Sequence, residues 1–147
     1  MNRRTAFAAA LGSLALILPL TGCGADETPM ADVTSAASAP ANGAELNATE
    51  FAAAVLRPGT VVLDVRTPAE YAEGHLPRAV NVDVESADFA TRLETLDKTV
   101  PYALYCRSGN RSGTALSMMT AAGFTGTYHL GGGIGAWSAA GGEVTTG

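Results

Sequence analysis

Hydrophobic and polar residues follow helix-like and strand-like patterns in turn from residue 45 to the end of the chain. Short apolar runs rich in β-branched or aromatic residues predict strands at 60–65, 79–82, 101–105 and 127–130. Apolar residues three or four positions apart predict helices at 48–56, 88–96, 112–122 and 134–140, and a short helix at 67–74. This alternation predicts an α/β fold, with a parallel sheet flanked by helices on both faces.

Capping residues mark the start of two of these helices. Asn47 stands three residues before Glu50, and Thr67 stands three residues before Glu70 with Pro68 between them. In a capping box, the first side chain accepts a bond from the backbone N–H three residues on, and the glutamate accepts from the N–H of the capping residue. Both helices are therefore predicted to begin at these positions.

The first 22 residues resemble a bacterial export signal. Arg3 and Arg4 precede an apolar stretch over residues 6–20, which is shorter than the ~20 residues that a membrane-spanning helix needs. The sequence LTGC at 20–23 resembles a lipobox, and this resemblance implies cleavage before Cys23 and lipidation of its thiol. An ordinary signal peptide with a coincidental cysteine, or a short buried helix, is the alternative.

Residues 23–44 are predicted to form a lipidated cysteine followed by a flexible linker. After Cys23 the segment has no aromatic residue, no lysine and no arginine. Such a segment buries too little apolar surface to offset the entropy lost on ordering. We therefore expect a signal peptide at 1–22, a linker at 23–44 and a folded domain at 45–147, exported and held at the cell membrane by its lipid.

The composition disfavours two classes of partner. The chain has 14 acidic and 9 basic residues, a formal charge of −5, whereas nucleic acid binding needs a basic face. Its two cysteines and two histidines are few and are scattered between positions 23 and 129, without the paired spacing of a structural zinc site, which takes four ligands. Neither a nucleic acid partner nor a metal is predicted.

The candidate chemistry lies directly after the predicted strand 101–105. The next six residues are predicted to form a turn before a helix: Cys106, Arg107, Ser108, Gly109, Asn110 and Arg111. Ligands of parallel sheets bind at this edge, and Gly109 permits a left-handed turn in which backbone N–H groups converge as an anion-binding nest. Together with the helix N-terminus and the charges of Arg107 and Arg111, this nest is predicted to lower the pKa of the Cys106 thiol and to bind an anionic substrate.

The number of cysteines bears on whether this thiol is reactive. If Cys23 is lipidated, Cys106 has no partner for an intrachain disulfide. An unpaired thiol in an exported protein is either buried and inert or used for chemistry. The polar, cationic residues after Cys106 suit an inert core residue poorly, which favours the reactive interpretation.

Four motifs, in order, resemble those of single-domain rhodaneses over residues 45–147. They are LDVR at 63–66 with EY at 70–71, GHLP at 74–77 with AVN at 79–81, YCRSGNRS at 105–112, and YHLGGG at 128–133 with Trp137. The resemblance implies a rhodanese fold and a sulfurtransferase without cofactor, in which Cys106 carries sulfur as a persulfide and residues 107–111 bind the substrate. It also implies a small anionic donor such as thiosulfate, and cyanide, a thiol or a protein as the acceptor.

The length of the loop distinguishes this reaction from others on the same fold. Four residues separate Cys106 from Arg111, as in sulfurtransferases, whereas related phosphatases and arsenate reductases have one more. A smaller ring of amides fits a sulfur atom better than a tetrahedral oxyanion. A non-enzymatic docking or sensing module remains the alternative, although such modules usually lose the cysteine.

The remaining polar residues are expected to support the site. Asp64 and Arg66 end a strand on the same side as Cys106, where they either support the loop or pair with each other or with Glu70. Glu70 would weaken thiosulfate binding if it pointed inward. His75 and His129 are expected to be structural. If the loop already keeps the cysteine as a thiolate, no general base is required, which fits the absence of a histidine from the loop.

Overall fold

Five parallel strands form the central sheet in the computed structural model, which describes residues 38–146. They are β1 (Ala44–Leu46), β2 (Val61–Asp64), β3 (Val80–Asn81), β4 (Tyr102–Tyr105) and β5 (Thr127–Leu130). Their order across the sheet is β1-β5-β4-β2-β3, and each neighbouring pair is parallel. The predicted signal peptide, Cys23 and the linker up to residue 37 lie outside the described residues.

Five helices connect and cover these strands within the described part of the chain. They are α1 (Ala48–Val55), α2 (Pro68–Glu73), α3 (Phe89–Glu94), α4 (Asn110–Ala121) and α5 (Gly133–Ala139). The predicted alternation is confirmed, with every predicted boundary within two residues, and both predicted capping boxes form, at Asn47 and at Thr67. Between residues 38 and 146 no helix has the length and apolarity needed to cross a membrane.

Side chains of β4 alternate between two apolar cores, one on each face of the sheet. Ala103 and Tyr105 pack into the core that includes residues of α1 and α5, whereas Leu104 and Cys106 pack into the core that includes residues of α3 and α4. Successive side chains of a strand point to opposite faces, so the expected layering with helices on both faces follows from this alternation. Cys106 therefore faces α4.

Strand β1 was not predicted from the sequence. Its residues pair with β5, and the Asn42 side chain ahead of it accepts bonds from the backbone N–H and the hydroxyl of Thr127, both at 2.8 Å. The same side chain donates to the Phe124 carbonyl at 3.1 Å, and the Gly43 N–H donates to the Thr127 carbonyl at 2.7 Å. Residues 42–44 were placed in the flexible linker, but they belong to the folded domain.

Candidate active site

Cys106 leaves β4 at a point where the beginning of α5 holds its backbone. The Ile134 N–H donates to the Cys106 carbonyl at 2.8 Å. Gly133 has a φ of +58°, and a Cβ at this position would lie 2.4 Å from the Cys106 carbonyl oxygen. Only glycine allows this close approach, so the glycine turn after β5 positions the candidate nucleophile.

The chain after Cys106 curls back over the sulfur. Gly109 has a φ of +101°, and its N–H donates to Cys106 Sγ at 3.1 Å. Helix α4 then begins at Asn110, two residues before the predicted start. The predicted six-residue turn is therefore a loop of residues 106–109, and Asn110 and Arg111 lie in the first turn of the helix.

The groups around the sulfur favour the thiolate. Burial raises the pKa of Cys106, but the Ser112 hydroxyl and the backbone N–H groups of Ser112, Ser108 and Gly109 outweigh this effect, so the pKa lies below its ordinary value. The direction is the one expected from the sequence. The donors that lower it are backbone amides and a hydroxyl.

The two arginines of the loop sequence have different surroundings. Arg111 donates to the Glu70 carboxylate from Nη1 and Nη2, each at 2.7 Å, and Nη1 also donates to Glu85 at 3.0 Å. These two carboxylates raise the pKa of Arg111 and offset its charge. Glu70 therefore points at Arg111 and not at the sulfur, and Arg107 is exposed to solvent. The expectation that both guanidinium charges act on the thiol is wrong for Arg111.

The thiol is completely buried, with 0% of the residue exposed. Arg107 and Ser108 line an open cavity of about 590 Å³ together with Ile134 of α5. Ser108 and Asn110 line a second, polar cavity of about 420 Å³. Cys106 itself is not among the residues that line either cavity.

Asp64 and Arg66 pair with each other beneath the site. The buried Arg66 guanidinium bonds the Asp64 carboxylate and donates to the Gly74 carbonyl at 2.7 Å. The Tyr105 hydroxyl donates to Asp64 at 2.7 Å, and burial together with this carboxylate raises the pKa of Tyr105. Of the alternatives left open by the sequence, the structure shows the mutual pair, which orients the residue directly before Cys106.

A serine, a histidine and a glutamate linked to the thiol by successive contacts were not placed in the site by the sequence analysis, which expected His129 to be structural. The Ser112 hydroxyl lies 3.5 Å from Cys106 Sγ and 3.1 Å from His129 Nδ1, and His129 Nε2 lies 3.2 Å from a carboxylate oxygen of Glu45. The sequence signal for Ser112 was its place as a polar residue on the inward face of a predicted helix. No pattern of neighbouring residues indicated that β5 lies beside α4.

Ligands for a metal ion do not cluster in the described part of the chain. Between residues 38 and 146 no three His, Cys, Asp or Glu side chains converge.

His75 has a structural environment, as expected, because its ring stacks on Tyr71 and its Nδ1 lies 3.0 Å from the Tyr71 carbonyl oxygen.

Comparisons with known proteins agree on one family. Residues 47–140 match the family described as Rhodanese-like domain. Thiosulfate sulfurtransferase GlpE from Pseudomonas entomophila (strain L48) is 36% identical over 89 residues, which are 60% of this chain and 79% of that protein. The putative sulfurtransferase YtwF from Bacillus subtilis (strain 168) is 40% identical over 76 residues, 52% of this chain and 71% of that protein. Among solved structures, the rhodanese-like domain of the Alr3790 protein from Anabaena sp. matches with a TM-score of 0.63 and 27% identity, over 69% of this chain and 78% of that one.

Proposed function

Because the chain belongs to the family of rhodanese-like domains, we propose that it is a sulfurtransferase that carries sulfur on Cys106 as a persulfide. Relatives named as a thiosulfate sulfurtransferase and a putative sulfurtransferase support sulfur transfer in general. The observation that carries the proposal is the direction of the loop donors, since the Gly109 N–H and the Ser112 hydroxyl both point at Cys106 Sγ. Such donors stabilise a negatively charged sulfur.

The reaction proceeds in two steps through a covalent intermediate. In the first step the Cys106 thiolate attacks the outer sulfur of thiosulfate, an S–S bond forms at Sγ, the S–S bond of thiosulfate breaks, and sulfite leaves with the electron pair. In the second step cyanide or a thiolate attacks the outer sulfur of the persulfide, and the cysteine thiolate is released. The loop amides hold the negative charge in both states.

The charges around the open cavity favour a small anionic donor that approaches beside Arg107. This side chain is exposed and lines the cavity next to the loop. Glu70 and Glu73 line the same cavity, but the Glu70 carboxylate is bound by Arg111. The exposed Arg107 therefore supplies a positive charge that attracts an anionic donor to this cavity.

Thiocyanate formation from thiosulfate and cyanide tests the activity. The wild-type chain should form thiocyanate and should gain one sulfur atom in mass after incubation with thiosulfate alone, and Cys106→Ala should do neither. Cys23→Ala is the matched control, because it removes the other cysteine and should leave the activity unchanged. Equal thiocyanate formation by the wild type and Cys106→Ala refutes the proposal.

Export and membrane anchoring through Cys23 are part of the same proposal. The basic start, the apolar stretch over residues 6–20 and the LTGC sequence at 20–23 support them. The intact mass of the protein extracted from membranes should show the loss of residues 1–22 and the addition of lipid. The Cys23→Ala variant should no longer be found in the membrane fraction. An unmodified Cys23 in the extracted protein overturns the anchoring.

A non-enzymatic docking or sensing module is the second candidate, and the complete burial of Cys106 favours it. In that case thiosulfate and persulfide donors add no sulfur to the chain. Partner capture would then be equal for the wild type and for Cys106→Ser. A gain of one sulfur atom that depends on Cys106 excludes a purely passive module.

A further inference from the structure

Four side chains connect the candidate nucleophile with the edge of the sheet. Cys106 Sγ lies 3.5 Å from the Ser112 hydroxyl, this hydroxyl lies 3.1 Å from His129 Nδ1, and His129 Nε2 lies 3.2 Å from Glu45. The first three residues are buried, with Ser112 at 0% and His129 at 5% exposure, whereas the Glu45 side chain is 70% exposed. A sulfur that is closed off from solvent is thus linked through hydrogen bonds to a surface carboxylate.

We propose that His129 is a positioning residue that accepts the proton of Cys106 through the Ser112 hydroxyl, with Glu45 stabilising the resulting imidazolium. The proton of the thiol passes to Ser112 Oγ, and the proton of the Ser112 hydroxyl passes to His129 Nδ1. No proton is lost in this step, and a thiol with a neutral imidazole becomes a thiolate with an imidazolium. The use of this thiolate for sulfur transfer rests on the function proposed above.

The Ser112 hydroxyl has three possible acceptors within reach, Cys106 Sγ at 3.5 Å, the Gly109 carbonyl oxygen at 3.0 Å and His129 Nδ1 at 3.1 Å. Its single proton can turn between them, so both states of the relay form without movement of heavy atoms. In the neutral state the thiol donates to Ser112 Oγ, the hydroxyl donates to His129 Nδ1, and Nε2–H donates to Glu45. In the charged state Nδ1–H donates to Ser112 Oγ and the hydroxyl donates to the thiolate, while the bond to Glu45 remains. Only protons change place, so the relay is preorganised in the fold.

Among the described residues that contact the His129 ring, the charged one is Glu45. Strand β1 contributes Glu45, which pairs in register with His129, and β4 contributes Leu104 on the other side. Helix α4 contributes Ser112 and the Cα of Gly113, where a Cβ would lie 3.6 Å from the ring. Burial lowers the pKa of His129 while Glu45 opposes this effect, so the imidazole is neutral at neutral pH when the thiol keeps its proton, as a proton acceptor must be.

The outer end of the relay lies at a cavity. Glu45 and His129 line the polar cavity of about 420 Å³, whereas neither residue lines the cavity of about 590 Å³ beside Arg107 and Ile134. The exposed Glu45 carboxylate is therefore the point at which the relay meets solvent.

Thiolate absorbance as a function of pH tests the relay directly and does not require sulfur transfer. The full chain is titrated as the wild type, as His129→Asn and as Glu45→Gln. From each curve we subtract the curve of the same chain with Cys106→Ala added, so that the absorbance of Cys23, which both chains contain, cancels. His75→Asn is the control for the loss of a histidine. Glu94→Gln, an exposed glutamate of α3, is the control for the loss of a carboxylate.

The wild type should ionise in two steps, because Cys106 and His129 share a proton. His129→Asn should ionise in one step, with about tenfold less thiolate at neutral pH, since an opposite charge near a thiolate lowers its pKa by about one unit or more. Glu45→Gln should lower the thiolate fraction at neutral pH in the same direction. His75→Asn and Glu94→Gln should follow the wild-type curve.

Superimposed curves for the wild type and His129→Asn overturn the relay. If circular dichroism shows that His129→Asn is unfolded, the test rests on the exposed Glu45 instead. A Glu45→Gln titration curve identical to that of Glu94→Gln then overturns the proposal. The two proposals also fail separately. If the titrations of the wild type and His129→Asn differ but no sulfur is transferred, the relay stands and the proposed function is refuted. If sulfur is transferred but the two titrations superimpose, the function stands and the relay is refuted.

Discussion

Arg111 at the start of α4 and Glu70 in the first turn of α2 form an ion pair with two contacts of 2.7 Å each. The same carboxylate accepts bonds from the backbone N–H and the hydroxyl of Thr67, which closes the capping box of α2. The pair therefore joins the helix after the candidate nucleophile to the helix after β2. The hydrogen bond from Arg111 is also the main reason that the pKa of Glu70 falls from 4.5 to about 2.

This pair predicts how stability changes in acid. A lowered pKa in the folded state stabilises the protein fully above pH 4.5, and this contribution disappears as the pH falls from 4.5 to about 2. Glu70→Gln should lower the free energy of unfolding at neutral pH by about 1 kcal/mol, because the pair borders solvent and is partly screened. The difference from the wild type should vanish near pH 2.

Urea denaturation at a series of pH values measures this effect. Glu73→Gln is the control, since it removes an exposed carboxylate of the same helix. If Glu70→Gln and Glu73→Gln have the same unfolding midpoint at neutral pH, the ion pair contributes nothing to stability.

The hydroxyl of Ser112 should set the reactivity of Cys106. Ser112→Ala removes a donor to the sulfur and should raise the pKa of the thiol by about one unit, so alkylation by iodoacetamide at neutral pH should slow by about tenfold. Ser117→Ala is the matched change on an exposed part of α4, where the hydroxyl donates to the Gly113 carbonyl. Equal alkylation rates in the two variants would show that Ser112 does not act on the thiol.

The left-handed conformation of Gly109 should be needed for the loop to close over the sulfur. A Cβ at this position is strained by the φ of +101° and would lie 3.1 Å from the Gly132 nitrogen. Gly109→Ala should destabilise the fold by about 1 kcal/mol and should also slow persulfide formation by about tenfold, because the amide turns away from Cys106.

Gly123→Ala separates these two effects. Gly123 follows the other end of α4 with a φ of +91°, and a Cβ there meets no atom within 4 Å. This variant should lose about the same stability by thermal unfolding and should keep the wild-type rate of persulfide formation. A normal rate in Gly109→Ala, measured by mass after incubation with thiosulfate, contradicts the role of the loop amide.

Asn42 should stabilise the domain although it precedes the first strand. Asn42→Ala removes three hydrogen bonds between this segment and the residues around β5, and we expect a loss of about 2 kcal/mol in the free energy of unfolding. Ser38→Ala, in the exposed segment just before it, is the control. Identical urea midpoints for the two variants would show that the Asn42 side chain does not stabilise the domain.

Local patterns were sufficient to predict most of the fold and the centre of the site. Hydrophobic periodicity and the capping residues Asn47 and Thr67 depend on neighbours a few positions away, so they were readable in the chain itself. The position of Cys106 after a strand, with Gly109 three residues later, likewise follows from adjacent residues. The α/β class then follows from the alternation of elements.

Contacts between distant segments were decided only by the tertiary structure. Strand β1 has three residues, too few for a pattern, and forms because β5 offers it a partner. The pairing of Arg111 with Glu70, the burial of Cys106 and the approach of His129 to Ser112 depend on strand order and helix placement. By itself the sequence determined which residues form each element and which thiol is the candidate nucleophile. The packed fold decided which groups surround that thiol, because side chains far apart in the chain meet only when the sheet is assembled.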